Sequence, residues 1–271
     1  QVFWSSSKLI VAYFYGSAPV AVYAVGAQVY SAYMQAGIAV AGVFFQRVSE
    51  LYHRDRDNAA ISVLFAKVGR ITFLVCSIIL GGFIVLGPDF IVLWAGDAYR
   101  EAFWIALAVM LPLTVDLTQN LGLTILQVEN KYYFRGIIYL ALSVVNIAGS
   151  ILLAPRLGIV AVAVCSGVCM FVGNGLVMNW YYAKRAGLDI AMFWREIAAL
   201  AVPWAAGTAV SGAAYWLFPM GHGTVWLFLL GGTVHLVLLA FFVGKWGLNG
   251  YERGIVRGFA AKVPGLRGFA K

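Results

Sequence analysis

The chain has 271 residues, of which 62% are hydrophobic and 11% charged, with a formal net charge of +8 and a mean hydropathy of +0.86. A water-soluble domain carries roughly twice that share of charge, so this composition excludes a soluble fold and indicates an all-α polytopic membrane protein. The excess of cations invites a nucleic-acid reading, but no basic stripe lies on a soluble face, and the positive charge fits Lys and Arg retained on the cytoplasmic side of a membrane.

The chain opens on SKLIVAYFYG, about ten apolar residues before the break Ser17-Ala18-Pro19, too few to cross a bilayer, which takes about 20. The expectation is a chain that starts inside a helix and is a piece of a longer protein. Lys8 falls roughly 12 Å of helix rise before that break. It either lines a cavity that receives an anion or reaches the opposite interface. Seven spans follow, at about 20–46, 64–87, 103–127, 135–154, 159–183, 197–218 and 224–244. Lipid offers backbone groups no partner, so each is helical.

The connections assign the sides. Arg47, Arg54, Arg56, Lys67 and Arg70 flank the first loop, Lys131 and Arg135 the third, and Lys184, Arg185 and Arg195 the fifth. The tail adds Lys245, Arg253, Arg257, Lys262, Arg267 and Lys271, whereas the intervening loops hold only Arg100 and Arg156. Sixteen cations against two alternate at every loop, which places the rich side, and the C-terminus, in the cytoplasm.

Polar residues recur inside the apolar tracts. Gln28, Ser31 and Gln35 share one face of the 20–46 helix. Asp116, Asn120, Thr124 and Gln127 share a face of the 103–127 helix, and Ser143, Asn146 and Ser150 a face of the 135–154 helix. Such groups are costly in hydrocarbon and face a bundle interior or an aqueous cavity. Asp116 is read either as a proton or sodium site or as a structural hydrogen-bond partner. Asn146 is read as a clamp between helices, and His235 as a packing residue. The three cysteines (Cys76, Cys165, Cys169) lie in apolar tracts without a CxxC pair and form neither a disulfide frame nor a zinc site. Asp55-Arg56-Asp57 sits in a short charged loop. Enzyme motifs of the HExxH, GxSxG, GxGxxG and P-loop kinds do not occur, so neither catalysis nor a cofactor is expected.

Three stretches resemble the polysaccharide-exporting branch of the multidrug/oligosaccharidyl-lipid/polysaccharide exporter superfamily. SKLIVAYFYGSAPVAVYAVGAQV matches a helix junction of that branch through Gly16, Val20 and Tyr23, with Ser7 where the family has aspartate. LWAGDAYREA matches an external loop through Gly96, Tyr99 and Ala102. VVNIAGSILLAPRLGIVAVAV matches a hairpin through Asn146, Leu152, Pro155, Gly158 and Ile159, with Gly149 and Ala161 at positions where the family has Asn and Gly. The resemblance covers about residues 1–190. It implies the second six-helix bundle of a two-bundle transporter (1–190) and two additional helices with a basic tail (191–271).

The resemblance further implies a flippase of the bacterial inner membrane. It would move undecaprenyl-pyrophosphate-linked glycans, such as O-antigen or exopolysaccharide units, by alternating access. Its expected partners are the lipid-linked oligosaccharide, membrane lipids, a missing N-terminal bundle and polysaccharide polymerase machinery, with no nucleic acid. On this reading Lys8 attracts phosphate, Gln28, Ser31, Tyr33 and Gln35 contact sugar, and Asp116 with Asn120 couples an ion. Three other readings stay open: a cation-coupled small-molecule exporter of the same fold, a membrane-embedded glycan enzyme, against which the short external loops speak, and an inactive half-transporter.

Overall fold

The computed structural model describes residues 2–44, 50, 58–128, 133–217 and 224–254. Among these every regular element is helical: α1 (Val2–Tyr15), α2 (Ser17–Gly42), α3 (Asn58–Ala95), α4 (Ala102–Thr118), α5 (Asn120–Val128), α6 (Tyr133–Leu157), α7 (Ile159–Met170), α8 (Met178–Lys184), α9 (Ile190–Leu217) and α10 (Val225–Phe242). A π-helical turn, Phe171–Val177, joins α7 to α8, and another, Val243–Gly247, ends α10. Five helical stretches are long and apolar enough to cross a membrane, and α4 with α5 makes a sixth if their bent pair is one span. The protein is therefore a multi-pass membrane protein. α2 is long enough at 26 residues but is not one of the five, because its Gln, Ser and Tyr residues lower its hydropathy.

Several boundaries differ from the sequence expectation, each for a local reason. The first break falls at Gly16 (φ +77°), not at Pro19. Proline is tolerated in a first helical turn, where its missing N–H has no partner to lose. The hairpin near Pro155 likewise turns at Gly158 (φ +82°), and α6 runs through Pro155 and Arg156 to Leu157. Both turns need a left-handed residue, which glycine adopts without a steric penalty. α3 continues past position 87 to Ala95, so Asp89 is not in a loop. It is buried and accepts a hydrogen bond from Tyr215 of α9 at 2.5 Å. At 38 residues α3 is roughly 57 Å long, well beyond a ~30 Å hydrocarbon core.

The expected alternation of ends holds wherever the structure describes them. Tyr15, Pro19, Tyr99, Glu101 and Gly158 line one shallow pocket, which brings three cation-poor turns together. At the opposite end the Asp189 backbone N–H donates to Ser62 Oγ at 3.1 Å. Residues 45–49 and 51–57 of the cation-rich loop, with Asp55 and Asp57, lie outside the described residues, as do Lys131 and 255–271. Two apolar cores are stacked along the helices. One joins α1, α2, the later half of α3, α4 and α7 around Tyr23, Phe83, Met110 and Val162. The other joins the start of α3, α5, α8, α9 and α10 around Phe65, Leu126, Tyr182 and Phe193.

At the cation-rich end Arg70 is buried, although its sequence position suggested a loop-flanking charge. All three of its nitrogens are engaged. Nε and Nη2 donate to the two oxygens of Glu252 at 2.6 and 2.8 Å, Nη2 also to the Gly247 carbonyl at 2.8 Å, and Nη1 to the carbonyl and carboxylate of Glu196 at 2.6 and 3.2 Å. Glu252 in turn forms a reciprocal cap with Asn249. The Asn249 N–H reaches Glu252 Oε2 at 3.0 Å, and the Glu252 N–H reaches Asn249 Oδ1 at 2.9 Å, the pairing expected at a helix start. The beginning of the basic tail is thus docked on α3.

Candidate functional site

Helix irregularities and polar side chains coincide between the two cores. α4 and α5 are bent by 47° at a break, where Gln119 stands between Leu117 of one core and Leu121 of the other. In α7–α8 the π-helical turn occupies the matching interval between Met170 and Met178. π-turns occur frequently at functional sites, and many transporters build their binding sites from broken membrane helices. Four side chains meet there. Arg135 Nη2 donates to Asp116 Oδ1 and Oδ2 at 3.0 and 3.2 Å and lies 3.0 Å from Tyr139 Oη, and Asn174 Nδ2 donates to that same hydroxyl at 2.9 Å. The guanidinium also stacks on the Tyr139 ring, 4.9 Å from its centroid.

Asp116 is therefore engaged by an arginine, and the partner was not legible in the sequence. The sequence marks Arg135 as a cation of the third loop, whereas it lies two residues inside α6 and reaches across to α4. Asn120 opens α5 beyond the break, half-buried. Gln119, which sequence reading passed over, is buried with neither amide atom partnered.

The α2 candidates divide between two faces. Gln28 and Gln35 are exposed and Ser31 is half-buried, whereas Tyr33 is buried and its hydroxyl lies 2.7 Å from Thr114 Oγ1 of α4. Gln28 and Tyr33 form one wall of a groove of about 520 Å³. Its other wall comes from Ile78, Ile79, Phe83 and Leu86 of α3. The end toward the cation-poor face carries Phe90, stacked on Trp94 and on Phe228 of α10 with centroids 5.7 and 6.4 Å apart. Ser31 and Gln35 do not line this groove, nor does Lys8. Lys8 is exposed on α1, on the side away from Ser7, which faces Ser166 of α7. Lys8 and Gln28 lie about 12 and 18 Å of helix rise from the Gly16 turn, at similar depth, but they do not share a cavity.

Asn146 is fully buried. Its Oδ1 accepts from Ser150 at 3.3 Å and from Ser166 at 3.2 Å, and Ser166 Oγ lies 3.1 Å from Ser7 Oγ. This chain of hydroxyls links α6, α7 and α1, as expected of an interhelical clamp, and leaves Asn146 Nδ2 unpaired. Among the described residues no cluster of His, Cys, Asp and Glu is suited to a metal ion. Comparison of the chain with protein-family models, with curated proteins and with solved structures finds no match.

Proposed function

We propose that this chain belongs to the polysaccharide-exporting branch of the multidrug/oligosaccharidyl-lipid/polysaccharide exporters and moves a lipid-linked oligosaccharide across the bacterial inner membrane. The observation that carries this reading is the groove between α2, α3 and α10. Its α3 wall is aliphatic and aromatic, while Gln28 and the Tyr33 ring face that wall from α2. An amphiphile fits such a surface: an isoprenoid chain against Ile78, Ile79 and Leu86, and a hydroxyl-rich head toward the Gln28 amide of α2. The volume lies within the usual range of ligand sites, roughly 300–1,000 Å³.

The exposed face of α2 with Gln28 and Gln35, together with exposed Lys8 on α1, supports a second bundle, with the polar head carried between the two. Lys8 remains the candidate for phosphate attraction, and Ser31 and Gln35 for sugar contacts from that face. The Asp116–Arg135 pair weakens the reading of a cation-coupled small-molecule exporter. A coupling carboxylate has to release its counter-ion, and both oxygens of Asp116 are already engaged by Arg135. Asp116 therefore serves better as a tether to Arg135 beside the helix break than as an ion site with Asn120.

The test is photo-crosslinking in membranes that contain the chain. A benzophenone amino acid replaces Ala32, on the groove, or Val164, on the opposite face, where Val164 and Leu111 line a separate pocket. The groove position is expected to label a polyprenyl-pyrophosphoryl oligosaccharide and to be competed by the unlabelled lipid. Equal labelling from Val164, or labelling competed only by an organic cation, overturns the proposal.

A further inference from the structure

Behind the groove, α3, α9 and α10 meet at a buried polar cluster that the reading above does not use. Ser211 Oγ of α9 lies 2.7 Å from His235 Nδ1 of α10 and donates to the Thr208 carbonyl at 3.0 Å. The hydroxyl has a single hydrogen. With that hydrogen on the carbonyl, Ser211 Oγ accepts Nδ1–H, and His235 is neutral with its lone pair on Nε2. Nε2 has no protein partner, and neither has Thr208 Oγ1, although the residues are only 1% and 6% exposed. A β-carbon on Gly81 of α3 would stand 2.9 Å from Thr208 Oγ1 and 3.2 Å from His235 Nε2. The two orphan atoms therefore flank one side-chain-free spot and are no farther apart than those distances laid end to end. A donor–acceptor pair left open in apolar surroundings is the arrangement that holds a water or a proton.

The cluster abuts the groove. Gly82 lines the groove, and a β-carbon there would lie 4.0 Å from His235 Cδ2. Phe228, two turns before His235 on the same helix, lines it as well. The other groups around the imidazole are Gly81 from α3 and Trp204, Thr208 and Ser211 from α9, with the Trp204 indole N–H given to the Ser77 carbonyl at 2.7 Å. None of these titrates between about pH 5 and 9. The nearest carboxylate on these helices, Asp89, is eight residues farther along α3 and bonded to Tyr215.

We propose that this junction is a proton-binding site that sets the affinity of the groove for anionic amphiphiles. At neutral pH Nε2 is a bare acceptor. A proton taken from water through the groove converts it to a donor facing Thr208 Oγ1 across the open spot at Gly81 and places one positive charge behind the Gly82 wall. The inference rests on the groove being an amphiphile site.

The test uses the chain in nanodiscs of neutral lipid and two fluorescent probes, an alkyl sulfate, whose charge is constant over the range, and the matching alkyl alcohol. Lowering the pH from about 8 to 5.5 is expected to tighten the sulfate about tenfold, the size of one charge acting across roughly 12 Å at an effective dielectric of 20, and to leave the alcohol unchanged. His235→Gln removes the pH dependence. A wild-type response below about twofold, or a full response retained in His235→Gln, overturns the proposal. Because His235→Gln alters a packed junction, a second measurement reads the wild-type imidazole directly. With His53→Gln and His222→Gln, His235 is the remaining histidine of the three, and its ¹⁵N shifts should show Nδ1–H at pH 8 and a second proton at pH 5.5. An imidazole that stays neutral throughout overturns the proposal. Failure of the groove reading looks different: alcohol binding then survives Ile79→Trp, which fills the groove.

Discussion

Arg70→Met removes the cation from a site where Arg70 and Glu252 are 3% and 4% exposed. Two of the five guanidinium contacts go to Glu252, and without them that carboxylate keeps only the Asn249 N–H among its contacts at this site. Glu196, 38% exposed, turns to solvent and adds little, since half-exposed ion pairs contribute under about 1 kcal/mol. The loss is therefore dominated by one uncompensated buried carboxylate, about 3–5 kcal/mol. The double variant Arg70→Met, Glu252→Leu removes both charges and should recover most of that loss. Reversible SDS-induced unfolding followed by tryptophan fluorescence measures both. Hydrogen exchange at the amides of 249–254 reports release of the docked segment, which should accelerate in the single variant. A single-variant loss below about 1 kcal/mol, or a double variant no more stable than the single, refutes the argument that charge compensation fixes this segment to α3.

Three further substitutions separate packing from polar effects. Gly167→Ala puts a methyl 2.4 Å from the Ala108 carbonyl oxygen; backbone cannot swing aside, so α4 and α7 must part at about 1–3 kcal/mol, read by the same unfolding assay. Asp116→Asn strands Arg135 and should destabilise by roughly 2 kcal/mol, less than a fully buried pair because both partners keep some exposure; groove crosslinking from position 32 should persist, as a tether requires and a coupling site does not. Gln119→Leu deletes two unpartnered buried amide atoms and should raise stability by about 1 kcal/mol; a loss of similar size would mean that the amide finds partners in the membrane.

Among the described residues, hydropathy and the cation alternation located the long apolar helices, because an apolar run in lipid has one acceptable backbone conformation; the break between α4 and α5 and the short helix that Asn249 caps carried no such signal. The same two signals misplaced the ends, since hydropathy does not distinguish a charge in a loop from one buried in a helix. Asp89 and Arg70 both read as interfacial and are both internal, each with a partner more than a hundred residues away. The polar stripe on α4 and α5 was visible as a period, but its pairing with Arg135 needed the three-dimensional approach of α6. On α2 the period was right and its meaning incomplete: the stripe marks the exposed face, whereas Tyr33, off that stripe, joins Gln28 at the groove through a hydroxyl bonded to Thr114.

The buried polar groups follow an energetic ordering that ties these sites together. Arg70, Asp89 and Glu252 are the buried charged residues of the described chain, and each has a partner. The side-chain atoms left without one are all neutral: both ends of the Gln119 amide, Asn146 Nδ2, Thr208 Oγ1 and His235 Nε2. An unpaired charge in this medium costs about 3–5 kcal/mol, a large share of the roughly 5–15 kcal/mol that folding leaves spare, whereas a neutral orphan costs about 1–3 kcal/mol and persists. Asn146 Nδ2 lies inside the clamp of α6, α7 and α1, and the other four atoms fall at two places. Gln119 sits at the break between α4 and α5, and Thr208 and His235 flank Gly81 behind the groove. Polar capacity is thus left open at a bend and beside a ligand-sized groove, the two places where a moving helix or an arriving molecule can supply the missing partner. That placement is why the groove and the junction behind it, more than the well-satisfied Asp116–Arg135 pair, are the parts of this protein to probe first.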